Sequence, residues 1–316
     1  MLTFGPVPSR RLGRSLGVNN IPPKICTYSC VYCQLGNTLK MRANRSEFFK
    51  PELIFEEVKN KTNRASQLGE AIDYLSFVPD GEPTLDINLG REIDLLKILG
   101  IKIAVITNSS LIWDENVRND LYKADWVSIK IDTLDEFEWC KIDRPYGRIK
   151  FENIKNGIKE FAKNFKGDLI TETMLVQGIN DNIKSLKSTA NFISGLKPKT
   201  AYLSIPTRPP AEKWTKPPEA KSINYAYQIF ANSISNVELL TGYEGNTFAS
   251  TGDCENDLLN ITSVHPMRKD AVQQFVNHAD ADWSTVESLL ESNKIVELEY
   301  AGNKFYLRNL KNKDYN

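Results

Sequence analysis

The stretch Lys24-Ile-Cys-Thr-Tyr-Ser-Cys-Val-Tyr-Cys-Gln-Leu-Gly36 places three of the chain's five cysteines, Cys26, Cys30 and Cys33, within eight positions. In a reducing cell interior such clustering indicates metal or redox chemistry, whereas in secreted proteins it indicates disulfides. The first residues lack the apolar core of a secretory signal, and no run reaches the roughly 18 apolar residues of a membrane span. We therefore expect a cytoplasmic protein without a membrane partner, whose clustered thiols bind metal.

The composition is that of an ordinary globular protein. Of 316 residues, 41% are hydrophobic and 25% charged, and 40 Lys and Arg residues balance 40 Asp and Glu residues. This balance gives no sign of a broad surface for nucleic acid or membrane. A chain of this length holds one large domain and a small one.

Residues 50–240 alternate amphipathic helical stretches with short apolar, β-branched runs, which predicts consecutive βα units on a parallel sheet. The predicted strands are 15–18, 74–78, 102–107, 126–131, 168–175 and 201–205, with a possible edge strand at 237–240. The predicted helices are 51–63, 88–99, 115–122, 151–165, 182–194 and 223–233. Six units are too few for a closed eight-stranded barrel, which leaves an open doubly wound sheet or a curved partial barrel.

Polar and glycine residues follow the predicted strands at the points where the strands end. In parallel α/β folds ligands bind at the carboxyl ends of the strands, so these residues predict a site. They are the cysteine loop after the first strand, Asp80-Gly81-Glu82 after the second, Asn108 after the third, Ser128, Lys130 and Asp132 on one face of the fourth, Glu172 on the fifth and Arg208 after the sixth.

The tail from about residue 263 follows a different pattern. Its candidate elements are helices 270–278 and 284–293 and strands 295–300 and 304–308. Ser284-Thr-Val-Glu287 has the form of a capping box for the second helix, and Ala301-Gly-Asn303 that of a hairpin turn. Helix, helix and hairpin outline a winged helix. We therefore predict two domains, residues 1–255 and 256–316.

The three clustered thiols have no evident fourth partner, whereas a structural zinc site normally has four ligands. Cys140 and Cys254 stand alone in the sequence, and His265 and His278 lie far along the chain. An iron–sulfur cubane held by three cysteines leaves one iron with an open position for a small molecule. We interpret the cluster of thiols as such an open site.

Cys-x3-Cys-x2-Cys with Tyr32 directly before the last cysteine resembles the signature of radical S-adenosylmethionine (radical SAM) enzymes. The resemblance implies that Cys26, Cys30 and Cys33 hold a [4Fe-4S] cluster, whose open iron binds the amino and carboxylate groups of S-adenosylmethionine. It also implies reductive cleavage of that cofactor to a 5′-deoxyadenosyl radical, which abstracts hydrogen from a substrate. The implied fold is a partial (β/α)6 barrel, and the implied electron donor is a low-potential protein such as ferredoxin or flavodoxin.

Other motifs of this family are similar to parts of this chain. Asp80-Gly81-Glu82 stands where the family has glycine-glycine-glutamate, whose backbone contacts the amino group of S-adenosylmethionine; aspartate replaces the first glycine, and a simple Asp-Gly turn is the alternative. Ser128, Lys130 and Asp132 resemble the fourth-strand residues that reach the ribose and carboxylate of S-adenosylmethionine. The alternative is that they form a half-exposed face of the strand without a ligand. Asn108 resembles part of the pocket, although helix capping explains it as well.

A wider resemblance, to a little-characterised radical SAM group classed with the wyosine-synthesis enzymes, covers nearly the whole chain. It rests on the stretches Gly5 to Gly17, Arg208-Pro-Pro210, Gly242-Tyr-Glu-Gly245 and His265-Pro-Met-Arg268. The cysteine surroundings do not match those of the wyosine enzymes themselves, so we do not infer tRNA modification. The substrate, whether small molecule, protein or RNA, is left open.

Several basic residues are candidates for contact with a carboxylate or phosphate. Three of them precede the first predicted strand: Arg10, Arg11 and Arg14. The alternative to ligand contact is that these arginines belong to a solvated basic loop. Arg208 is a better candidate because neighbouring prolines restrict its loop. We place Arg208 and Glu172 among the cofactor-pocket residues, and a structural ion pair is the alternative for Glu172.

The remaining cysteines and histidines receive less specific roles. We expect Cys140 to be a packed small residue and Cys254 to be an exposed thiol near the site. We expect His265 and His278 to be ordinary hydrogen-bonded histidines.

Two other functions stay open at this point. A winged helix would suit a redox sensor that binds nucleic acid or protein, but residues 263–316 carry seven basic and eight acidic side chains, and 284–293 has no lysine or arginine. DNA binding is therefore disfavoured, while Lys311 and Lys313 leave RNA contact open. A simple electron-transfer cluster is disfavoured because such clusters usually have cysteine on every iron.

Overall fold

A sheet of eight strands forms the centre of the structure, a computed structural model that describes residues 2–242, 248, 250 and 252–309. The strands are β1 Thr3–Ser9, β2 Gly13–Val18, β5 Tyr74–Phe77, β6 Lys102–Thr107, β7 Trp126–Lys130, β8 Asp168–Met174, β9 Thr200–Ser204 and β10 Val237–Leu240. They lie in the order β1-β2-β5-β6-β7-β8-β9-β10, and all neighbours are parallel except β1 and β2. This confirms the predicted α/β fold with a mostly parallel sheet. Among the described residues the edge strands β1 and β10 do not pair, so the sheet is open there and no closed barrel forms.

Helices cover the outer face of the sheet between successive strands. They are α1 Pro51–Gln67, α2 Leu89–Lys97, α3 Glu115–Leu121, α4 Glu136–Ile142, α5 Phe151–Asn164, α6 Ile183–Leu196 and α7 Ala220–Ala231. In α5, for example, Phe151, Ile154, Ile158 and Phe161 recur at helical spacing and are buried in the main hydrophobic core. No described helix is long and apolar enough to span a membrane.

The turn between β1 and β2 packs on the face of the sheet opposite the helices. Leu12, at this turn, packs in a buried cluster with side chains from five consecutive strands, β6 to β10: Ala104, Trp126, Ile170, Tyr202 and Leu240. Arg10 Nη2 donates to the carbonyl of Gly242, just past β10, at 2.6 Å. The turn therefore reaches across this face of the sheet, from the edge that β1 and β2 form to β10 at the other edge.

The cysteine loop follows β2 and contains a pair of very short strands. These are β3 Ile25–Cys26 and β4 Lys40–Met41, which pair in parallel.

The tail consists of α8 Cys254–Val264, β11 Met267–Arg268, α9 Lys269–His278, α10 Ser284–Glu291, β12 Ile295–Tyr300 and β13 Asn303–Arg308. The predicted order of helix, helix and hairpin is present. The hairpin turn is only Ala301–Gly302, both at positive φ, as in type I′ turns. The predicted capping box is wrong, because Trp283, not Ser284, is the N-cap, and the Glu287 N–H donates to the Trp283 carbonyl at 3.1 Å. The Ser284 hydroxyl and N–H both donate to the Asp282 carboxylate.

The tail shares a hydrophobic cluster with the sheet. Phe4 and Val7 of β1 pack with tail residues that include Leu258, Met267 and Phe275. Helix α8 continues through the predicted boundary between residues 255 and 256, so the division into two domains stays a prediction. Parts of the quoted Gly242–Gly245 stretch, and both Lys311 and Lys313, lie outside the described residues.

Candidate active site

A cavity of about 320 Å³ lies at the carboxyl ends of the parallel strands, where the sequence predicts a site. Small-molecule sites commonly measure roughly 300–1,000 Å³. The loops after β2 and β5, the ends of β6 to β10 and the β1–β2 turn all contribute to the wall. The wall contains all but two of the predicted site residues: Cys26, Cys30, Tyr32, Cys33, Asp80, Gly81, Glu82, Asn108, Lys130, Glu172 and Arg208.

Ser128 and Asp132 are the two predicted site residues that do not line this cavity. Ser128 is buried two residues before Lys130, further from the end of β7. Because β7 ends at Lys130, the two-residue alternation of a strand no longer governs Asp132. The buried Asp132 carboxylate instead accepts hydrogen bonds from the Tyr32 hydroxyl at 2.5 Å and the Met174 N–H at 2.7 Å.

The cysteine loop is fixed to the loop that follows β5. The Lys24 N–H donates to the Asp80 carbonyl at 2.6 Å, and the Glu82 N–H donates to the Ile25 carbonyl at 3.2 Å. Between these bonds, Gly81 lies against Ile25 in an isolated parallel bridge. The three clustered cysteines and the motif after β5 therefore belong to one hydrogen-bonded unit.

The surroundings of the three thiols favour their protonated form. Burial, followed by the charge of Glu82, raises the pKa of Cys26 to about 12. Burial also raises the pKa of Cys30 and of Cys33. Since the thiolate is the form that binds metal, a positive partner is needed to stabilise it here.

Asp143 is a buried carboxyl group beside the cysteine loop that the sequence did not predict there. Cys30 Sγ donates to Asp143 Oδ1 at 3.3 Å, and the Tyr32 hydroxyl oxygen, which donates to Asp132, lies 3.2 Å from the same Asp143 oxygen. The Val31 N–H donates to the carbonyl of Ile142 at 2.9 Å, so the end of α4 anchors this part of the loop. The seven-residue α4 is too short to show a helical period, and Asp143 carried no other signal.

Glu82 is buried, and four hydrogen bonds engage its carboxylate. It accepts from the hydroxyl and N–H of Thr84 at 2.6 and 3.1 Å, from the Thr107 hydroxyl at 2.6 Å and from the Asn108 N–H at 2.8 Å. Burial raises its pKa, and these hydrogen bonds oppose the shift. Asn108 Nδ2 in turn donates to Thr27 Oγ1 at 2.8 Å. Glu82 therefore ties the loop after β5 to the end of β6 and to the cysteine loop.

Glu172 lies between two cations on the cavity wall. Its carboxylate accepts from Lys130 Nζ at 2.9 Å, from the Arg11 guanidinium and from the Ser204 hydroxyl at 3.1 Å. Burial alone would raise the pKa of Glu172, but Lys130 and Arg11 outweigh it and lower the pKa to about 2. Burial likewise works against charging Lys130, but Glu172 outweighs it, and the pKa of Lys130 rises to about 12. The ion pair that was the alternative for Glu172 is thus present, and it faces the cavity.

Asp80 places a carboxylate on the wall where the family motif has glycine. Only 5% of the residue is exposed, and within the described part of the chain its Oδ1 has no hydrogen-bond partner. Burial raises the pKa of Asp80 to about 7, and the nearby Lys24 ammonium opposes that shift. The residue lines the cavity, and this oxygen is itself enclosed by the protein.

Arg208 is held at the cavity by residues from two distant parts of the chain. It donates to Gln34 Oε1 at 2.8 Å, and its Nη2 lies 2.9 Å from Nε2 of His265 in the tail. Of the arginines near β2, Arg10 and Arg11 also line the cavity. Arg14 instead pairs with Glu70, away from the cavity.

The isolated cysteines and His278 lie apart from the cavity. Cys140 is exposed on α4, so its predicted packing is wrong; the helix buries its neighbours Trp139 and Ile142 instead. Cys254 begins α8, is partly buried and does not line the cavity, so its predicted exposure near the site is also wrong. His278 is a surface residue that lies 3.7 Å from a carboxylate oxygen of Glu70.

Comparison with known protein families gives a match that covers more than half of the chain. The model of the Radical SAM superfamily matches residues 20–193. A UPF0026 protein of Methanocaldococcus jannaschii is 45% identical over all of this chain and 98% of its own length.

Two solved structures share the fold at low sequence identity. TYW1 with a lysine–pyruvate adduct bound has a TM-score of 0.53 at 16% identity, over 70% of this chain and 74% of its own. A radical SAM methyltransferase from Sphaerobacter thermophilus has a TM-score of 0.56 at 15% identity, over 72% of this chain and 66% of its own.

Proposed function

The chain belongs to the radical SAM superfamily, whose members bind a [4Fe-4S] cluster and S-adenosylmethionine, and from this premise we propose that its cavity is an active site. There, S-adenosylmethionine is cleaved reductively at the cluster, and a hydrogen atom is abstracted from a substrate. The observation that carries the proposal is the presence of Cys26, Cys30 and Cys33, and no other cysteine, on the wall of this cavity.

The donor set fits an open cubane. Within the described part of the chain, no three thiol, imidazole or carboxylate groups converge on the position of a single metal ion. A cubane offers a separate iron to each thiolate, so its ligands surround it instead of meeting at a point. Cluster binding also provides the positive partner that the buried thiols need to lose their protons. We therefore assign the three thiols to three irons, with the fourth iron open to S-adenosylmethionine.

When reduced, the bound cluster supplies the electron that breaks the sulfonium bond of S-adenosylmethionine and yields a 5′-deoxyadenosyl radical. The residues of the chain bind and orient. Gly81 lets the loop after β5 lie against the cysteine loop, and Asp80 contributes a carboxyl group to the wall of the cavity at the same loop. Tyr32, Asn108 and Lys130 complete the walls around the cofactor.

A low-potential donor such as ferredoxin or flavodoxin would reduce the cluster, which suits a protein of the reducing cytoplasm.

We assign residues 256–316 to a winged-helix-like unit that closes over the cavity or docks the substrate. The contacts of His265 with Arg208 and of the Tyr300 hydroxyl with the Pro206 carbonyl, at 3.2 Å, support this placement. The alternative of a redox-sensing or electron-transfer protein is not favoured by the family match.

Cluster coordination tests the assignment of the thiols. After anaerobic reconstitution and reduction, we expect the wild type to contain about four irons and to give a [4Fe-4S]⁺ electron paramagnetic resonance signal that shifts when S-adenosylmethionine is added. Cys30→Ala should lose the signal, and Cys140→Ala, which removes an exposed thiol outside the cavity, should keep it. A signal that S-adenosylmethionine leaves unchanged would contradict the open iron.

A further inference from the structure

The cysteine loop belongs to the most basic part of the sequence. Residues 1–46 contain seven basic residues and no Asp or Glu, so the other 33 of the 40 basic residues share residues 47–316 with all 40 acidic ones. Three of the seven follow the last clustered cysteine closely: Lys40, Arg42 and Arg45. The segment that carries the three thiols is therefore cationic, in a chain whose total charge is zero.

The short strand β4 brings this basic segment to the surface directly beside Cys26. Met41 lies opposite Cys26 in the parallel pair of β3 and β4, and the Arg42 N–H donates to the Cys26 carbonyl at 3.1 Å. Leu39, just before β4, is 78% exposed, and Lys40 is exposed as well. A cluster thiol therefore belongs to a strand whose immediate neighbour presents an apolar and a cationic side chain to solvent.

The two cations of this strand are not neutralised by the protein. The Arg42 guanidinium lies 5.4 Å from the centroid of the Phe48 ring, and its Nε donates to the Asn44 carbonyl at 2.9 Å. Neither Lys40 nor Arg42 forms an ion pair with a carboxylate of the residues that the structure describes. Both charges are therefore available to a partner.

A groove of about 740 Å³ begins directly after Arg42, and its wall shares no residue with the cavity of the candidate active site. Ile87 and Trp113 line the groove and are 49% and 44% exposed. Aromatic side chains and arginine are enriched where proteins dock on one another. The groove therefore supplies an apolar centre beside the basic strand.

The charges of the groove leave positive charge in excess. Of its two acidic residues, Asp120 pairs with Arg45, and Asp114 accepts the Asn116 N–H at 2.9 Å at the start of α3. Arg148 is exposed on the groove wall and forms no ion pair among the described residues. We call the surface made of Leu39, Lys40, Arg42 and this groove, which carries four basic and two acidic residues, the basic face.

The proposed cleavage of S-adenosylmethionine needs one electron from outside the protein. A cavity of about 320 Å³ has no room for a protein, so an electron-carrier protein must approach the thiols from outside the cavity. Electron transfer slows steeply as the distance between donor and acceptor grows, and the carrier must therefore dock next to the cysteine loop. The basic face meets this requirement at Cys26.

A second surface covers the cysteine loop at Val31. The Val31 N–H donates to the Ile142 carbonyl, and its carbonyl accepts from the Glu212 N–H at 3.0 Å. The Glu212 carboxylate pairs there with Arg144, so these two charges cancel. This surface lacks the unpaired cations of the basic face.

We propose that an acidic, low-potential electron-carrier protein docks on the basic face and passes one electron to the cluster on the side of Cys26. The carrier is oxidised by one electron, the cluster is reduced by the same electron, and no atom is transferred. Opposite surface charges steer such partners together and orient them. The inference rests on the proposed function, because only a protein that uses an electron at its thiols needs this partner.

The test is binding of two acidic carriers, a flavodoxin and a ferredoxin, to the cluster-loaded protein. Each oxidised carrier is titrated anaerobically by calorimetry, with S-adenosylmethionine present, at about 50 and about 300 mM salt. We expect saturable binding of at least one carrier at the lower salt, weakened by about tenfold or more at the higher salt, because salt screens exposed charges. The reduced carrier is then mixed with the protein in a stopped-flow instrument, and its rate of oxidation is measured.

Variants separate the basic face from the rest of the surface. Lys40→Glu and Arg148→Glu should each weaken binding and slow oxidation of the carrier by about fivefold or more at the lower salt. Trp113→Ser should weaken binding to the same extent at both salt concentrations. Lys166→Glu is the control, because Lys166 is exposed between α5 and β8 at the amino ends of the strands, and it should behave as the wild type does. The melting temperature identifies any variant that fails to fold.

The proposal is overturned if neither carrier binds, or if both Lys40→Glu and Arg148→Glu bind as the wild type does. A larger effect of Lys213→Glu, an exposed lysine beside Glu212 on the second surface, would also overturn it. The same preparations are assayed for 5′-deoxyadenosine with dithionite, which is too small to need a docking surface, and all of these variants should release as much as the wild type. Carrier binding without this product would contradict the proposed function alone, and product without carrier binding would contradict the basic face alone.

Discussion

A β-carbon added at Gly81 would fall 1.9 Å from the carbonyl oxygen of Ile25. No real β-carbon approaches a backbone oxygen so closely, so only glycine lets the loop after β5 lie against the cysteine loop. The preceding residue of the motif, Asp80, lines the cavity. The close contact explains why the second position of the Asp80-Gly81-Glu82 motif is glycine.

Gly81→Ala should separate the two loops. We expect a loss of about 1–3 kcal/mol in the free energy of unfolding, because the clash is with backbone that cannot move alone. Cluster content after reconstitution should fall as well. Gly147→Ala is the control, since a β-carbon there would contact nothing within 4 Å. Urea unfolding and iron analysis measure both effects, and equal behaviour of the two variants would contradict the close contact.

The ion pairs of Glu172 should stabilise the protein across neutral pH. Glu172→Gln leaves the partly buried Lys130 and Arg11 without their counter-charge. Removing one partner of a fully buried pair costs about 3–5 kcal/mol, which is the upper bound for this site. The pKa of Glu172 is lowered in the folded state, to about 2, from an ordinary 4.5. Its contribution is therefore complete above about pH 5 and is lost as pH falls from about 4.5 toward 2.

Urea unfolding of cluster-free wild type and Glu172→Gln at several pH values measures this contribution. The difference in unfolding free energy should be constant between pH 7 and 5 and should shrink below about pH 4.5. A difference that shrinks already between pH 7 and 5 would show that Glu172 is not held ionised by its neighbours.

The tail should unfold together with the sheet, because β1 and the tail share one hydrophobic cluster. Phe275→Ala in α9 should cost about 3–5 kcal/mol and shift a single transition. Phe137→Ala, at a phenylalanine that is 78% exposed, should change stability by no more than about 0.5 kcal/mol. Calorimetry measures the transitions. An early, separate transition of the tail would instead support independent domains at 1–255 and 256–316.

The tail should not bind duplex DNA at physiological salt. Residues 263–316 have one more acidic than basic residue, and α10 carries Glu287 and Glu291 without lysine or arginine. Binding to the phosphate backbone requires the opposite balance. Fluorescence anisotropy with a labelled duplex at 50 and 200 mM salt measures this. Saturable binding that weakens steeply with salt would show a basic surface that charge counting misses.

The parallel sheet could be predicted because each strand and helix carries its own local period. Most predicted bounds agree with the structure to within a few residues, as at Lys102–Thr107. β1 was missed because Gly5-Pro6-Val7-Pro8 has two prolines, which in sequence indicate a loop. An edge strand tolerates them, and β1 is the edge of the sheet. No local pattern in the sequence predicts that Leu12, in the turn after β1, packs against side chains of β6 to β10.

The sequence predicts those site residues that lie at the carboxyl ends of the parallel strands. Because ligands bind at the carboxyl ends of parallel strands, Asp80, Lys130 and Glu172 could be predicted to share one cavity, although Asp80 and Glu172 are about 90 residues apart in the sequence. Partners supplied by other elements could not be predicted. Asp143 reaches Cys30 from the end of a short helix, and His265 reaches Arg208 from the tail. Such contacts depend on tertiary packing, which periodicity does not report.

The most direct test of the proposed function is release of 5′-deoxyadenosine. Wild type, Cys26→Ala and Cys140→Ala are reconstituted anaerobically, reduced with dithionite and incubated with S-adenosylmethionine, and the product is measured by chromatography. The proposal predicts 5′-deoxyadenosine from the wild type and Cys140→Ala and none from Cys26→Ala. A fully loaded wild type that releases none, or a Cys26→Ala variant that releases as much as the wild type, would contradict it.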